Sequence, residues 1–250
     1  MEKITRSTQR DSLGLRAADM MGEDIWNSYE FSWLDAEGKP KIAMLRIRIP
    51  CRSKFTVESK SLKLYLNSFY QTMFPGHEEL RDTLIGDLSD VLDEPPTVEI
   101  LDWKLANQEF ADNQSICLDD ISIEVKDYRR DSEILKTERH RSDALSESII
   151  TNLFRCLCPL TGQPDWASIR IDYEGIPIDK GSLLRYLISY REHRAFHEST
   201  IELIFSDILE VLEPVKLSVF GYFLRRGGID INPFRSNFQE RAPYERLIRQ

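Results

Sequence analysis

At 250 residues, with 41% apolar and 10% aromatic content, the chain has material for one large domain or two small ones with a real hydrophobic core. Its 42 acidic residues against 33 basic ones, a net charge of −9, argue against a protein whose main partner is a nucleic-acid backbone, because phosphate binding needs a concentrated excess of Lys and Arg. The opening Met1-Glu2-Lys3-Ile4-Thr5-Arg6 has no apolar h-region and no window approaches the ~20 apolar residues of a bilayer span, so no membrane partner and a cytoplasmic location are expected.

In chain order, Met44 to Ile49 reads as a strand. Glu58-Ser59-Lys60-Ser61-Leu62-Lys63 then opens a helix, with Ser59 or Ser61 suited to the N-cap and Lys60 and Lys63 on one face. Leu62, Tyr65, Leu66 and Phe69, at i, i+3, i+4 and i+7, make that helix amphipathic. A second helix ends near Leu92, and Thr97 to Trp103 is strand-like. From Asp127 to Glu147, eleven of twenty-one residues are charged; this predicts a solvated linker that turns helical toward Ser148. Beyond it come a strand from Ala167 to Tyr173, a helix with Leu183, Tyr186, Leu187 and Tyr190 on one face, a second helix ending near Leu212, and a strand from Lys216 to Phe223.

The order repeats because the chain does. At an offset near 121, Ser61 to Phe69 falls on Ser182 to Tyr190; at 120, His77-Glu78 falls on His197-Glu198, Asp87 on Asp207, and Val91-Leu92 on Val211-Leu212. Gly38, Pro40, Arg46 and Ile47 fall on Gly162, Pro164, Arg170 and Ile171. This order points to a duplicated domain of about 110 residues, an α+β class, and a division into 1–135 and 136–250.

The second copy carries the chemistry. In Cys158-Pro159-Leu160-Thr161-Gly162-Gln163-Pro164-Asp165-Trp166 the prolines and glycine put a thiol on a constrained loop, with a carboxylate able to fold back toward it; the first copy has Leu34 and Lys41 there. A free cysteine is more commonly a small buried hydrophobe, but a thiolate needs a nearby base, and His197-Glu198 offers one. The four cysteines, Cys51, Cys117, Cys156 and Cys158, have no framework spacing and read as free thiols. Cys156 and Cys158 with His193 and His197 form a weaker, metal-ligand alternative, since the common zinc spacing is C-x-x-C. Near the end, Arg225-Arg226-Gly227-Gly228 suits a phosphate contact, and no Rossmann or Walker glycine motif occurs.

Taken together, Glu58 to Tyr65, the Cys158-to-Trp166 loop, Phe196-His197-Glu198 and Arg225 to Phe234 resemble the QueF family, the NADPH-dependent 7-cyano-7-deazaguanine reductases, in its longer two-domain form. The resemblance covers nearly the whole chain, and Cys156 stands where a small polar residue is expected. It implies two tandem tunnelling-fold (T-fold) domains, each an antiparallel sheet with paired helices, assembled as a homo-oligomer, most simply a homodimer. It implies reduction of a nitrile to a primary amine by two NADPH, on the route to the queuosine nucleoside of transfer RNA, with no direct nucleic-acid contact and no metal. Cys158 would add to the nitrile as a thioimide, Asp165 would act as general acid/base, and His197 would donate a later proton. Glu58, Ser59, Ser61, Phe196 and Glu198 would bind the deazapurine, and Lys60, Lys63, Arg225 and Arg226 the cofactor phosphates. Two other readings stay open: a deazapurine- or pterin-binding protein of that fold without reductase activity, and a thiol hydrolase.

Overall fold

The computed structural model describes residues 1–15, 20–102, 115–126, 128–138, 143–243 and 245–250; Trp103 and, within the charged linker, Asp127 and residues 139–142 lie outside them. The elements in chain order are β1 (Lys3–Thr5), α1 (Arg6–Leu13), β2 (Met21–Leu34), β3 (Pro40–Pro50), β4 (Phe55–Val57), α2 (Ser59–Asn67), α3 (His77–Leu92), β5 (Thr97–Leu101), β6 (Ile116–Cys117), β7 (Leu145–Leu157), β8 (Pro164–Gly175), α4 (Lys180–Ile188), α5 (His197–Leu212), β9 (Lys216–Phe223) and β10 (Ile229–Ser236). The class is α+β. Eight strands form one sheet in the order β5-β3-β2-β10-β9-β8-β7-β6, and β1 pairs separately with β4. Pairing is antiparallel except at the edge, where β6 runs parallel to β7, so the wholly antiparallel sheet expected from sequence is corrected there.

The helical turn expected toward Ser148 is also wrong: that segment is inside β7. Its β-branched Ile149, Ile150 and Thr151 pair with Ile171, Arg170 and Ile169 of β8, and all three are buried, so cross-strand packing overrides the charge-based reading. The long strand β2 had no counterpart in the sequence reading either. It runs between β3 and β10. Gly22 makes that pairing possible: at φ +129 a Cβ there would stand 2.1 Å from the Phe234 carbonyl oxygen.

The two halves repeat in detail. Both long strands shift register at matching places, between Ser28 and Phe31 and between Thr151 and Phe154. In each half a tyrosine on the first helix reaches an aspartate on the second, Tyr65 to Asp87 at 2.6 Å and Tyr186 to Asp207 at 2.5 Å. Both second helices end in a left-handed residue, Asp93 and Glu213. The N-caps correspond too, and they correct the sequence reading. Glu58, not a serine, caps α2 by accepting from the amides of Lys60 (2.9 Å) and Ser61 (2.7 Å), while Asp179 caps α4 by accepting from Ser182 (2.7 Å).

Each helix pair lies on the same face of the sheet over its own core. One core packs Leu62, Leu66, Leu80, Leu84 and Leu88 on Trp26, Leu45 and Ile47; the other packs Leu183, Leu187, Ile201, Ile204 and Ile208 on Ile169, Ile171 and Val219. On the opposite face a smaller cluster of Ile25, Phe220, Tyr222 and Phe234 is met by Ala242 and Leu247 of the C-terminal segment. Because β10 lies between β2 and β9, the sheet joins the two helix pairs side by side and leaves a seam between α2 and the start of α5. No helix among the described residues is long and apolar enough to cross a membrane.

Candidate active site

The loop between β7 and β8 is closed on itself. The Cys158 amide donates to the Gln163 carbonyl and the Gly162 amide donates back to the Cys158 carbonyl, each at 2.9 Å, and Gly162 supplies the left-handed residue the turn requires, at φ +69. Partial burial and the Asp165 charge push the half-buried Cys158 thiol up. Hydrogen bonds from the Thr161 hydroxyl and from the amides of Thr161 and Leu160 outweigh them, and the thiol lies below its ordinary range. Sequence reasoning passed over Thr161; a hydroxyl three residues after Cys158, inside a tight turn, is the signal that could have found it.

Asp165 starts the buried face of β8, where strand alternation turns Trp166 to the other side. Its side chain is only 3% exposed and meets two partners: His197 Nε2 at 3.3 Å, and the guanidinium of Arg226, whose other amino group donates to Gln163 Oε1. Burial pushes its carboxyl up, but His197 and Arg226 hold it below the usual carboxylate range. His197 is the first residue of α5. Its ring stacks on Phe223 at 3.8 Å between centroids and 5° between planes, and its buried Nδ1 has no partner among the described residues.

These groups open into a cavity of about 240 Å³ on the seam, and every residue that the family resemblance assigns to the site, except Ser61 and Arg225, lines it. Cys158, Asp165, Phe196, His197 and Glu198 come from the second half and Glu58, Ser59, Lys60 and Lys63 from the first. Ser61 is corrected to a structural role: its Oγ accepts from the Glu2 amide and donates to the Glu58 carbonyl, both at 2.9 Å. Arg225 is corrected as well. Neighbours in an extended segment face opposite ways, and Arg225 lies over the ring of Tyr29, 4.6 Å from its centroid, away from the cavity that Arg226 lines. Gly227-Gly228 is an ordered turn. Both residues have positive φ and the Arg226 amide donates to the Ile229 carbonyl at 2.9 Å, the pattern of a tight hairpin turn between β9 and β10.

The metal-ligand alternative is not assembled. Cys156 is in the core, its thiol pushed up to about 12 chiefly by burial, His193 packs edge-on to Tyr190, and among the described residues no group of three or more His, Cys, Asp or Glu is placed to hold a metal.

Beneath the cavity is a charge network that sequence gave no hint of, because its members are scattered along the chain. Arg6 and Arg235 both bind Asp24 (2.6 and 2.7 Å), and Arg235 and Arg10 both bind Glu202 (2.8 and 2.7 Å). Burial raises the Asp24 and Glu202 carboxyls, yet the arginines hold both below the usual range. Glu198 lies beside this network on the cavity wall, and burial, reinforced by the Asp24 charge, pushes its carboxyl up.

Residues 1–100 match the family model described as nitrile reductase, 7-cyano-7-deazaguanine-reductase N-term, and residues 164–242 match the model of a QueF-like protein. Over 250 residues the chain is 44% identical to the NADPH-dependent 7-cyano-7-deazaguanine reductase of Bordetella pertussis, covering 99% of this chain and 91% of that one. The protein of the same name from Bordetella avium is 45% identical over 242 residues (96% and 88%), and that from Paraburkholderia xenovorans 42% over 250 (99% and 91%). The chain belongs to this family of reductases.

As a member of the NADPH-dependent reductases it needs a place for a polyanionic cofactor, and the mouth of the cavity suits one. Lys60, Lys63 and Arg226 line it together. Burial, and next the adjacent Arg226 charge, hold the Lys63 ammonium below its ordinary range; a phosphate between the two cations would relieve that repulsion.

Proposed function

We propose that the chain reduces the nitrile of 7-cyano-7-deazaguanine to the aminomethyl group through a thioimide on Cys158. The observation that carries this is the pairing, in one cavity, of a thiol tuned toward thiolate with a carboxylate held between His197 and Arg226. A nitrile carbon accepts hydride poorly until it is rehybridised, and a soft sulfur nucleophile does that by adding to it. As the S–C bond forms, one C≡N π pair moves to nitrogen. The proton leaving Cys158 passes to Asp165 and on to that nitrogen, so acid and base are one group.

Glu198 and Glu58 bind the N–H edge of the base, Phe196 and Ser59 complete its pocket, and His197 donates a proton at the later reduction. Glu58 has oxygen lone pairs to spare beyond the two amides it caps. Lys60, Lys63 and Arg226 would hold the phosphates of NADPH, which would supply the hydrides when bound. The halves divided near residue 135 make two tandem T-fold domains, assembled as a homodimer in the cytoplasm, and the product feeds queuosine synthesis without contact between this chain and nucleic acid.

The decisive measurement is intact mass after mixing protein and nitrile without NADPH. A covalent increase equal to the substrate mass is expected, absent in Cys158→Ala, and NADPH oxidation should vanish in the same variant. No increase with the unaltered chain, or turnover that survives the substitution, overturns the reading; nitrile loss with no NADPH consumed would mark a hydrolase.

A further inference from the structure

Arg226 stands at the cavity mouth among the cofactor's cations, yet its contacts are with protein. We propose that Arg226, braced by Gln163, is a positioning residue for thioimide formation: it fixes Asp165 against His197 as a carboxylate ready to take the Cys158 proton, before any cofactor binds. This rests on the thioimide reading above.

Its backbone cannot wander, because the turn through Gly227 and Gly228 is closed by the Arg226 amide on the Ile229 carbonyl (2.9 Å). One amino group of the guanidinium bonds Asp165 Oδ1 and the other Gln163 Oε1, leaving Asp165 Oδ2 for His197 (3.3 Å). A planar fork held at both tips orients its partner as a lysine could not. The charge also matters: Asp165, 3% exposed, would otherwise be a buried carboxylate with only a histidine beside it, and such a group neutralises unless paired.

The groups facing Asp165 are His197 from α5, Arg226 from the β9–β10 turn, Lys63 from α2, Cys158 from its loop and Cys156 on β7. Of these Arg226 supplies the fixed positive charge in direct contact. In the step itself the Cys158 S–H proton goes to the Asp165 carboxylate, the sulfur pair forms the bond to carbon, the π pair goes to nitrogen, and Asp165 returns the proton there. The thioimide is neutral and the carboxylate is regenerated, so no other reactant is needed.

The test follows adduct formation without NADPH across its acid limb, which a pure phosphate ligand would not affect. Arg226→Gln should slow the adduct at least about tenfold, the loss of one charge-assisted hydrogen bond. It should also move the acid limb to higher pH, since Asp165 then holds its proton longer. Arg226→Lys should restore the limb but only part of the rate. Unchanged adduct kinetics in Arg226→Gln, with only the KM for NADPH raised, would overturn the proposal. Should that variant fail to fold, Gln163→Ala, which removes the brace from an exposed loop, should still slow the adduct several-fold, and wild-type kinetics there would overturn it equally. Absence of adduct in the unaltered enzyme is a different failure, that of the thioimide reading itself.

Discussion

Three donors converge on the Cys158 sulfur, the hydroxyl and amide of Thr161 and the amide of Leu160, and each favours the thiolate. The two amides belong to the turn and survive most substitutions, but the hydroxyl can be removed alone. Thr161→Val keeps the shape and deletes one hydrogen bond to a charged acceptor, a change of about 1.5–3 kcal/mol, or roughly one to two units in the thiol's titration. The pH profile of iodoacetamide alkylation should therefore move up by that amount, with slower labelling near neutrality. A profile that does not move would mean the amides alone set the reactivity. Cys156, two residues earlier, goes the other way: it is fully buried, and burial together with the Asp165 charge drives its thiol up despite a hydrogen bond from the Thr200 side chain.

At the scale of elements, the two capping carboxylates are the clearest product of duplication and the clearest divergence. Glu58 and Asp179 occupy equivalent positions and both satisfy free amides at a helix start. Only Glu58 lines the cavity. Each Ala substitution should cost about 1 kcal/mol of stability through the lost cap, read as a lowered urea midpoint. Asp179→Ala should leave affinity for the deazapurine intact, whereas Glu58→Ala should weaken it as well, by calorimetry. Equal affinity in both variants would confine Glu58 to capping. The longer glutamate side chain reaches its amides from a position that also faces the seam, which lets one carboxylate close a helix and bound a pocket.

For the whole molecule, the five-residue network of Arg6, Arg10, Asp24, Glu202 and Arg235 ties α1, β2, α5 and β10 together at the seam. Asp24 and Glu202 are held below the usual carboxylate range. As pH falls the unfolded chain therefore takes up protons before the folded one does. Their contribution is full above about pH 4 and is lost on further acidification through the folded values. Glu198 and Asp230, pushed up by burial, act in the opposite sense. Arg235→Met removes the cation shared by both carboxylates and should cost about 3–5 kcal/mol at neutral pH, with a shallower loss of stability on acidification than in the parent. Denaturant midpoints at neutral and acid pH check both; a variant as stable as the parent would show that Arg6 and Arg10 suffice.

Local pattern alone was enough to find the amphipathic helices, the strands Ala167 to Tyr173 and Lys216 to Phe223, the duplication, and the constrained turn that carries Cys158, because 3.6- and 2-residue periods and turn residues act over a few positions of chain. It failed where distant partners decide. β7 is a strand because β8 lies beside it, whatever its charged approach suggests. Arg225 and Arg226 separate because a hairpin turn fixes one against Asp165 and strand alternation sends the other to Tyr29. Glu58 rather than a serine caps α2, since reach toward two amides is a matter of three-dimensional position. The buried network joins residues up to about two hundred positions apart, and no periodicity within a window carries that distance. The chemistry of this protein was written in its residue types; which of those residues meet was decided by β10 entering the sheet between β2 and β9, the pairing that brings the two halves to one cavity.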